Sequence, residues 1–130
     1  LFCHEKDGKL QESAVLFYLS GRSPRKAIAA ETNRFIFLDG TIEDLGKGIP
    51  ATQMPVISDN YSKYIGWKGQ GEIPAEKLEK MREYIRQTHA EGKLFRWWGA
   101  PDTPLFKKFF IKEKVDLIGA DDLKALSLIL

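Results

Sequence analysis

The sequence predicts an α/β fold built from parallel β-α units, and three observations support this. Four short apolar runs recur along the chain, each ends in small or acidic residues, and each is followed by a helix-compatible segment. Strands that alternate with helices are typical of parallel β-α-β units. Four such units make half of an eight-stranded (βα)8 TIM barrel, whose active site gathers at the carboxyl ends of the strands. We therefore expect one domain over residues 1–130, with a long ordered loop after the second strand.

The first two units are predicted from apolar runs and turn signals. Residues Leu1–Glu12 are polar and predict a connector into the first strand. The strand Ala14–Ser20 is continuously apolar, as expected when both of its faces are covered. Pro24 suits the first position of a short helix over Arg25–Glu31. The second strand, Phe35–Asp39, follows that helix.

The segment Gly40–Gly71 has many glycines, weak periodicity and no clear element. Loops of this length inside a compact domain are uncommon and are often lids or binding loops. Tyr61, Tyr64 and Trp67 make it too aromatic for a flexible linker. We expect an ordered excursion over the barrel mouth, with a short helix at Ser58–Ile65.

Pro74–Glu91 is the clearest predicted helix, because its apolar residues recur at spacings of three and four. Gly92 then suits a C-terminal cap. The remaining predicted elements are the strand Leu94–Trp98, a helix from Thr103, the strand Asp116–Gly119, and a terminal helix capped by Asp121 and Asp122 that runs to Leu130.

The composition excludes several classes of protein. Hydrophobic residues make up 43% and charged residues 29%, which is typical of a globular protein and not of a disordered or membrane-embedded one. The apolar runs are shorter than the roughly 18–20 residues that cross a bilayer, so we expect no transmembrane segment. A net charge of +2 is too small to indicate a nucleic-acid partner, because proteins that bind nucleic acids usually have a concentrated basic face.

The cysteine count and the first residue bear on the compartment. Cys3 is the only cysteine, which excludes an internal disulfide framework and a multi-cysteine zinc site. A secreted protein can lack disulfides, so this leaves a secreted or periplasmic location open. The sequence starts with Leu1 and shows no signal peptide, and a processed product or a truncated chain would explain that start.

Half of a barrel would leave two sheet edges open, at Ala14–Ser20 and at Asp116–Gly119. Unpaired strand edges promote pairing with another chain. We therefore expect a homodimer or a larger species formed through these edges.

Two motifs near the C-terminus carry a resemblance to a known family. Phe95–Asp102 reads FRWWGAPD, and Val115–Asp122, about twenty residues on, reads VDLIGADD. They resemble strands seven and eight of the PLC-like phosphodiesterase barrels, which include glycerophosphodiester phosphodiesterases and phosphatidylinositol-specific phospholipase C-like proteins. In that family a strand ending in Trp and Asn or Asp precedes a final strand of the type V-D-x-I-x-T-D, and here Ala120 replaces the Thr.

Earlier segments agree with the same family in the same order. Leu19–Pro24 resembles an S-G-N-x-P turn after strand five, with Arg22 where Asn is usual. Phe37–Gly40 followed by Asp-Leu-Gly resembles strand six, and Ile57–Tyr61 with Trp67 resembles the lid of the family. The resemblance thus covers nearly the whole chain.

The resemblance implies that this chain is the C-terminal half of a phosphoric diester hydrolase barrel acting on a small phosphodiester or a lipid head group. The catalytic histidines and the carboxylates for a divalent metal, Ca or Mg, lie on the first half in that family. His4 and His89 match neither of those positions, so we assign no catalytic residue and no metal ligand, and expect this chain alone to be inactive. An alternative is a non-catalytic half-barrel used for binding or assembly. A phosphate-binding isomerase barrel is disfavoured because no base is positioned on these strands.

Five residues at the strand ends are candidate substrate contacts. Arg22 could bind a phosphate bidentately, although an arginine in such a turn is often only solvated. Asp39 ends an apolar strand, where a buried carboxylate needs a partner in the substrate or the long loop. Trp97 and Trp98 alternate in direction, so at most one forms a wall for a glycerol or inositol group, the alternative being that both are core. Asp102 lies at a helix start that attracts anions, yet capping explains it equally well.

Overall fold

The computed structural model describes all 130 residues and contains two β-sheets and five α-helices. In chain order the elements are β1 (His4–Lys6), β2 (Lys9–Gln11), β3 (Phe17–Leu19), α1 (Arg25–Ala30), β4 (Asn33–Arg34), β5 (Ile36–Gly40), a 3-10 turn (Ile42–Asp44), β6 (Val56–Asn60), α2 (Tyr61–Tyr64), α3 (Ala75–Ala90), β7 (Leu94–Trp98), α4 (Pro104–Lys112) and α5 (Leu123–Ser127).

The larger sheet confirms the α/β class. Its four strands are parallel and stand in the order β3-β5-β6-β7, which is also their order along the chain. Each connection between consecutive strands therefore leads to the neighbouring position on the same side of the sheet. Because β-α-β connections are right-handed, steps in one direction place the connecting helices on the same face of the sheet.

Alternate strand residues face those helices and form the core. Leu38, Ile57, Phe95 and Trp97 belong to one buried cluster with helix residues such as Met81. Since side chains alternate along a strand, the residues between them point to the opposite face. At the carboxyl end of that opposite face lie Asp39, Ser58, Arg96 and Trp98.

The helix predicted at Pro74–Glu91 is confirmed as α3. Its buried residues include Met81 and Ile85, which lie one turn apart. The helix stops where Gly92 adopts a positive φ of 70°, and the next N–H, that of Lys93, donates to the carbonyl of Thr88 at 3.1 Å. None of the helices in the structure is both long and apolar enough to cross a membrane.

The segment Gly40–Gly71, expected to be one long loop, contains a strand of the parallel sheet. This strand, β6, pairs with β5 on one side and with β7 on the other. Its second half is polar and a proline precedes it, so its local pattern is loop-like and only its neighbours make it a strand. The short helix expected at Ser58–Ile65 is α2, which begins at Tyr61 and is capped by Asn60, whose Oδ1 accepts the N–H of Lys63 at 3.2 Å.

The outer strands are shorter than expected. Of the predicted strand Ala14–Ser20, only Phe17–Leu19 pairs with β5, while Val15 forms an isolated parallel bridge with Phe2. The predicted strand Asp116–Gly119 contributes a single bridge, between Leu117 and Arg96 of β7. The terminal helix is likewise shorter, because α5 ends at Ser127.

The N-terminal residues are not a simple connector. β1 and β2 form an antiparallel hairpin, and β4 pairs with the other side of β1 to complete a three-stranded sheet. The hairpin turn places Asp7 at φ 52° and Gly8 at φ 78°, both in the left-handed region that such turns use.

Candidate functional site

Two side chains meet at the carboxyl edge of β5 and β6. The Asp39 residue is 7% exposed, and its carboxylate accepts from the hydroxyl of Ser58 at 2.7 and 2.8 Å. Together they line a cavity of about 410 Å³, called here the Asp39 cavity. Its other lining residues come from strand ends, from the loops that follow them and from the start of α1: Ser20, Gly21, Arg25, Gly40, Thr41, Asp59, Arg96 and Trp98.

Burial raises the pKa of Asp39 above its ordinary value, because the ionised form loses hydration. The hydrogen bond from Ser58 and the positive charges of Arg96 and Arg25 act in the opposite direction without cancelling it. When protonated, the carboxyl group can donate a hydrogen bond, and when ionised it only accepts. Asp39 is therefore suited to contact hydroxyl groups in either state.

Arg25 holds the loop after β5 through an ion pair with Asp44. Its guanidinium donates to both oxygens of the Asp44 carboxylate, at 2.8 and 3.0 Å. The N–H and the hydroxyl of Thr41 donate to Asp44 as well. Burial alone would raise the pKa of Asp44, but these hydrogen bonds outweigh it and hold the pKa below its usual value. Arg25 thus shapes the rim of the cavity with its charge already paired.

Arg96 differs from most other arginines of the chain. Its guanidinium has no hydrogen-bond or ion-pair partner, whereas four others each pair with a carboxylate: Arg25, Arg34, Arg82 and Arg86. The residue is half-buried and lies beside Ser58 in the register of β6 and β7. A half-buried guanidinium with unused donors suits a carboxylate or phosphate ligand.

The two tryptophans of β7 point in opposite directions. Trp97 is 3% exposed and packs edge-on against Tyr61 and Phe95, with ring centroids 5.7 and 4.8 Å away. Its ring therefore packs in the core, and Trp97 also lines the second cavity described below. Trp98 is 46% exposed and lies between the Asp39 cavity and a second cavity, so its ring is accessible to a ligand.

The loop beyond Trp98 is held in place by α2. Gly99 adopts φ 69°, and a Cβ atom there would lie 3.2 Å from Oδ1 of Asn60. The hydroxyl of Ser62 donates to the carbonyl of Gly99 at 2.7 Å. The close approach requires glycine, and it orders the chain on the carboxyl side of Trp98.

The second cavity, of about 440 Å³, lies between the loop after β7 and the residues after Leu117. Lys107 of α4 lines it and is buried, and we call it the Lys107 cavity. The Nζ atom of Lys107 lies 2.6 Å from Oδ1 of Asp102, whose Oδ2 accepts the N–H of Asp121 at 3.0 Å. Pairing with Lys107 is the first cause that holds the pKa of Asp102 below its usual value. Asp102 thus joins two loops, and Thr103 caps α4 in its place.

The structure separates Arg22 from the other candidates. Arg22 is exposed, and it lines neither cavity. The arginines at the Asp39 cavity are instead Arg25 and Arg96. Asp122, expected to cap the last helix, does so by accepting the N–H of Ala125 at 2.9 Å.

The residues of these strand ends do not fit a calcium or magnesium ion. No group of three or more His, Cys, Asp or Glu side chains lies close enough to hold a metal. Ca²⁺ takes at least six oxygen ligands, and Mg²⁺ requires octahedral geometry. Asp59 lines the same cavity as Asp39, but its oxygens accept the N–H groups of Asn60 and Ile42, at 2.8 and 3.1 Å.

Both histidines lie away from the two cavities. His4 hydrogen-bonds Asn33 and stacks on Phe35, in the N-terminal sheet region. His89 lies near the end of α3 and contacts Asp116 at 2.7 Å. Neither lines the Asp39 cavity or the Lys107 cavity.

Sequence reasoning missed four residues of the site: Ser58, Asp59, Arg96 and Lys107. The sequence predicts the first two within the short helix Ser58–Ile65 of the long loop, because β6 is not recognisable from its local pattern. Arg96 carried a usable signal, since it is a charged residue that alternates with Phe95 and Trp97 in a buried strand. Lys107 stands among other lysines in the sequence, a pattern typical of a solvated helix face, and only the packing of α4 shows that it is buried.

No protein-family model, no curated protein and no solved structure matches this chain in the three comparisons made.

Proposed function

We propose that this chain is the C-terminal half of a PLC-like phosphodiesterase barrel and forms the substrate-side wall of a phosphoric diester hydrolase. The order of the parallel strands supports this, because steps in one direction with helices on one face are the arrangement that a (βα)8 barrel continues to closure. The candidate residues also lie at the carboxyl edge, where barrel enzymes hold their substrates.

The observation that carries the proposal is the unpaired guanidinium of Arg96 between two cavities. A phosphodiester bears one negative charge on acceptor oxygens, which an arginine can bind through two parallel N–H groups. Trp98 beside it offers an apolar ring face to the alcohol portion of the ester. The proposed substrate is thus a small phosphodiester or a lipid head group.

Acid and base for hydrolysis would come from the other half of the barrel. Hydrolysis needs a proton donor for the leaving oxygen and a group that activates the nucleophile. His4 and His89 lie outside both cavities, and Asp39 is hydrogen-bonded to Ser58. We therefore propose that this chain binds and orients the diester.

The binding role is tested with glycerophosphocholine as the probe, followed by NMR titration of the whole chain. Arg96→Gln should weaken binding by about tenfold or more, the loss expected for a charge-assisted hydrogen bond. Arg22→Gln is the matched control, because it removes the same charge from the same edge outside the cavities. Equal affinities for the two variants would contradict the proposal.

Exposed apolar residues at the β3 edge favour a second candidate, a half-barrel used for assembly. Phe17 and Ile36 are exposed there, although they lie in a parallel sheet. Parallel sheets are normally covered on both faces. Self-association without any affinity for phosphodiesters would support this alternative.

A further inference from the structure

We propose that the exposed face of α4 binds the surface of an anionic lipid bilayer. The contact is peripheral: the lysines of this face attract anionic phospholipid head groups, and its exposed aliphatic side chains enter the boundary between the head groups and the acyl chains. None of the exposed residues of α4 lines the Asp39 cavity or the Lys107 cavity. This surface and the proposed diester contacts therefore share no residues.

One side of α4 is buried, and the other carries lysines among aliphatic residues. Phe106 and Phe110 face the core. The exposed residues of the helix are Pro104, Leu105, Lys108, Ile111 and Lys112. Leu105 is 51% exposed and Ile111 is 38% exposed. The nine residues of α4 include no acidic residue, and the next residue, Glu113, is buried. The exposed face of α4 is therefore basic and partly apolar.

The exposed face of α3 shows a different pattern, in which opposite charges pair with each other. There Arg86 contacts both Glu79 and Glu83, each at 2.6 Å. The two lysines on the exposed face of α4 have no ion-pair partner, since the acidic residue next to them, Glu113, pairs with Arg82 of α3. Their charges are therefore free to attract an anionic surface.

The end of α4 adds a third lysine at a position that favours glycine. Both α3 and α4 end in a left-handed residue, after which the next N–H donates to the carbonyl five residues earlier. In α3 this residue is Gly92, at φ 70°, whereas in α4 it is Lys114, at φ 63°. Glycine adopts this conformation without the steric cost of a Cβ atom, and lysine does not. The helix dipole favours a cation at this end, but it acts over the last turn and does not account for Lys108.

A lipid surface fits the exposed face of α4 better than a peptide or a nucleic acid does. An acidic peptide is the nearest alternative, because Lys112 and Lys114 line a groove of about 730 Å³ beside α3. Leu105, Lys108 and Ile111 do not line that groove, so a peptide bound there would leave them without contact. A nucleic acid binds largely through its phosphates, which make no use of exposed aliphatic groups. A bilayer contacts the lysines and the aliphatic groups together.

The test is co-sedimentation of the whole chain with vesicles of phosphatidylcholine and phosphatidylglycerol in equal amounts, compared with vesicles of phosphatidylcholine alone. The chain should bind the mixed vesicles more tightly, and added salt should weaken that binding because it screens exposed charges. Lys108→Gln combined with Lys112→Gln should lower the partition coefficient by about tenfold or more, since each lysine near an anionic surface contributes about fivefold. Lys6→Gln combined with Lys9→Gln is the matched control, because it removes the same charge from exposed residues of the β1–β2 hairpin.

Ile111→Gln should also weaken binding to the mixed vesicles, because it removes an aliphatic group from the contact without changing the charge. Equal losses in the α4 lysine variant and in its hairpin control would show that net charge alone drives adsorption, and would overturn the proposal. Equal binding to both kinds of vesicle, or binding to neither, would overturn it as well. Polyglutamate that binds the chain when the mixed vesicles do not would make an acidic protein the partner instead.

Vesicles could also bind at the strand ends, through the proposed diester contacts. Binding that Arg96→Gln weakens and the α4 lysine variant leaves intact would place the lipid there. That result would overturn the role of α4 and leave the proposed function standing. Loss of vesicle binding in the α4 lysine variant, with glycerophosphocholine still bound, would support both.

Discussion

The hydroxyl of Ser58 spans the carboxylate of Asp39, at 2.8 Å from Oδ1 and 2.7 Å from Oδ2. A hydroxyl has one proton, so it cannot donate fully to both oxygens at once. The hydrogen bond from Ser58 therefore offsets only part of the hydration that the carboxylate loses on burial, which agrees with the raised pKa of Asp39. A proton on Asp39 could in turn be donated to the Ser58 oxygen.

Asp39 should make the stability of the chain depend on pH. A group with a raised pKa stabilises the fold while protonated, and this contribution is lost as the pH rises through the raised pKa. Asp39→Asn removes the titration, so it should melt at a higher temperature than the unsubstituted chain at pH 7. The difference should vanish below pH 3.8, the ordinary value. Thermal melts over this range check it, and an equal or lower melting temperature at pH 7 would contradict it.

Gly40→Ala should destabilise the chain by about 1–3 kcal/mol through overpacking. A Cβ at Gly40 would overlap Sδ of Met54 and lie 2.7 Å from Cδ1 of Ile57, and both neighbours are fully buried. Gly119→Ala is the control, because a Cβ there meets nothing within 4 Å. Urea denaturation measures both free energies of unfolding. Equal values would show that the core beneath the Asp39 cavity adapts freely.

The chain by itself should not hydrolyse phosphodiesters. Its histidines lie outside both cavities, and no carboxylate cluster is able to hold a metal. The assay uses glycerophosphodiesters and inositol phospholipids with Ca²⁺ or Mg²⁺ added. Clear metal-dependent turnover by these 130 residues would contradict this prediction.

The chain should self-associate through its β3 edge. Within the parallel sheet, β5 is the only neighbour of β3, and Phe17 at this edge is 52% exposed. Sedimentation at micromolar concentration should show a dimer or a larger species, because an open apolar edge promotes pairing. Phe17→Lys should shift the population toward monomer, whereas Leu128→Lys, at the exposed chain end, should not. A monomer at every concentration would contradict the open-edge interpretation.

Some elements could be predicted because their signals are local. Leu94–Trp98 is the strand that was expected, since a compact apolar run between turn residues is a strong strand signal. The helix α3 follows from its apolar spacing and from Gly92. β6 could not be predicted in this way, because its polar second half is stabilised by hydrogen bonds from two neighbouring strands.

The sequence by itself determined the α/β class and three of the four strands of the parallel sheet, because periodicity, caps and turn residues act over a few positions. It also placed Asp39 and Trp98 at strand ends. Only the tertiary structure decided which side chains meet there. Ser58 reaches Asp39 because β6 inserts between β5 and β7. Arg96 lacks an ion-pair partner because its register partner on β6 is Ser58 and not a carboxylate. Such relations depend on register and packing between residues far apart in the chain, which local patterns do not encode.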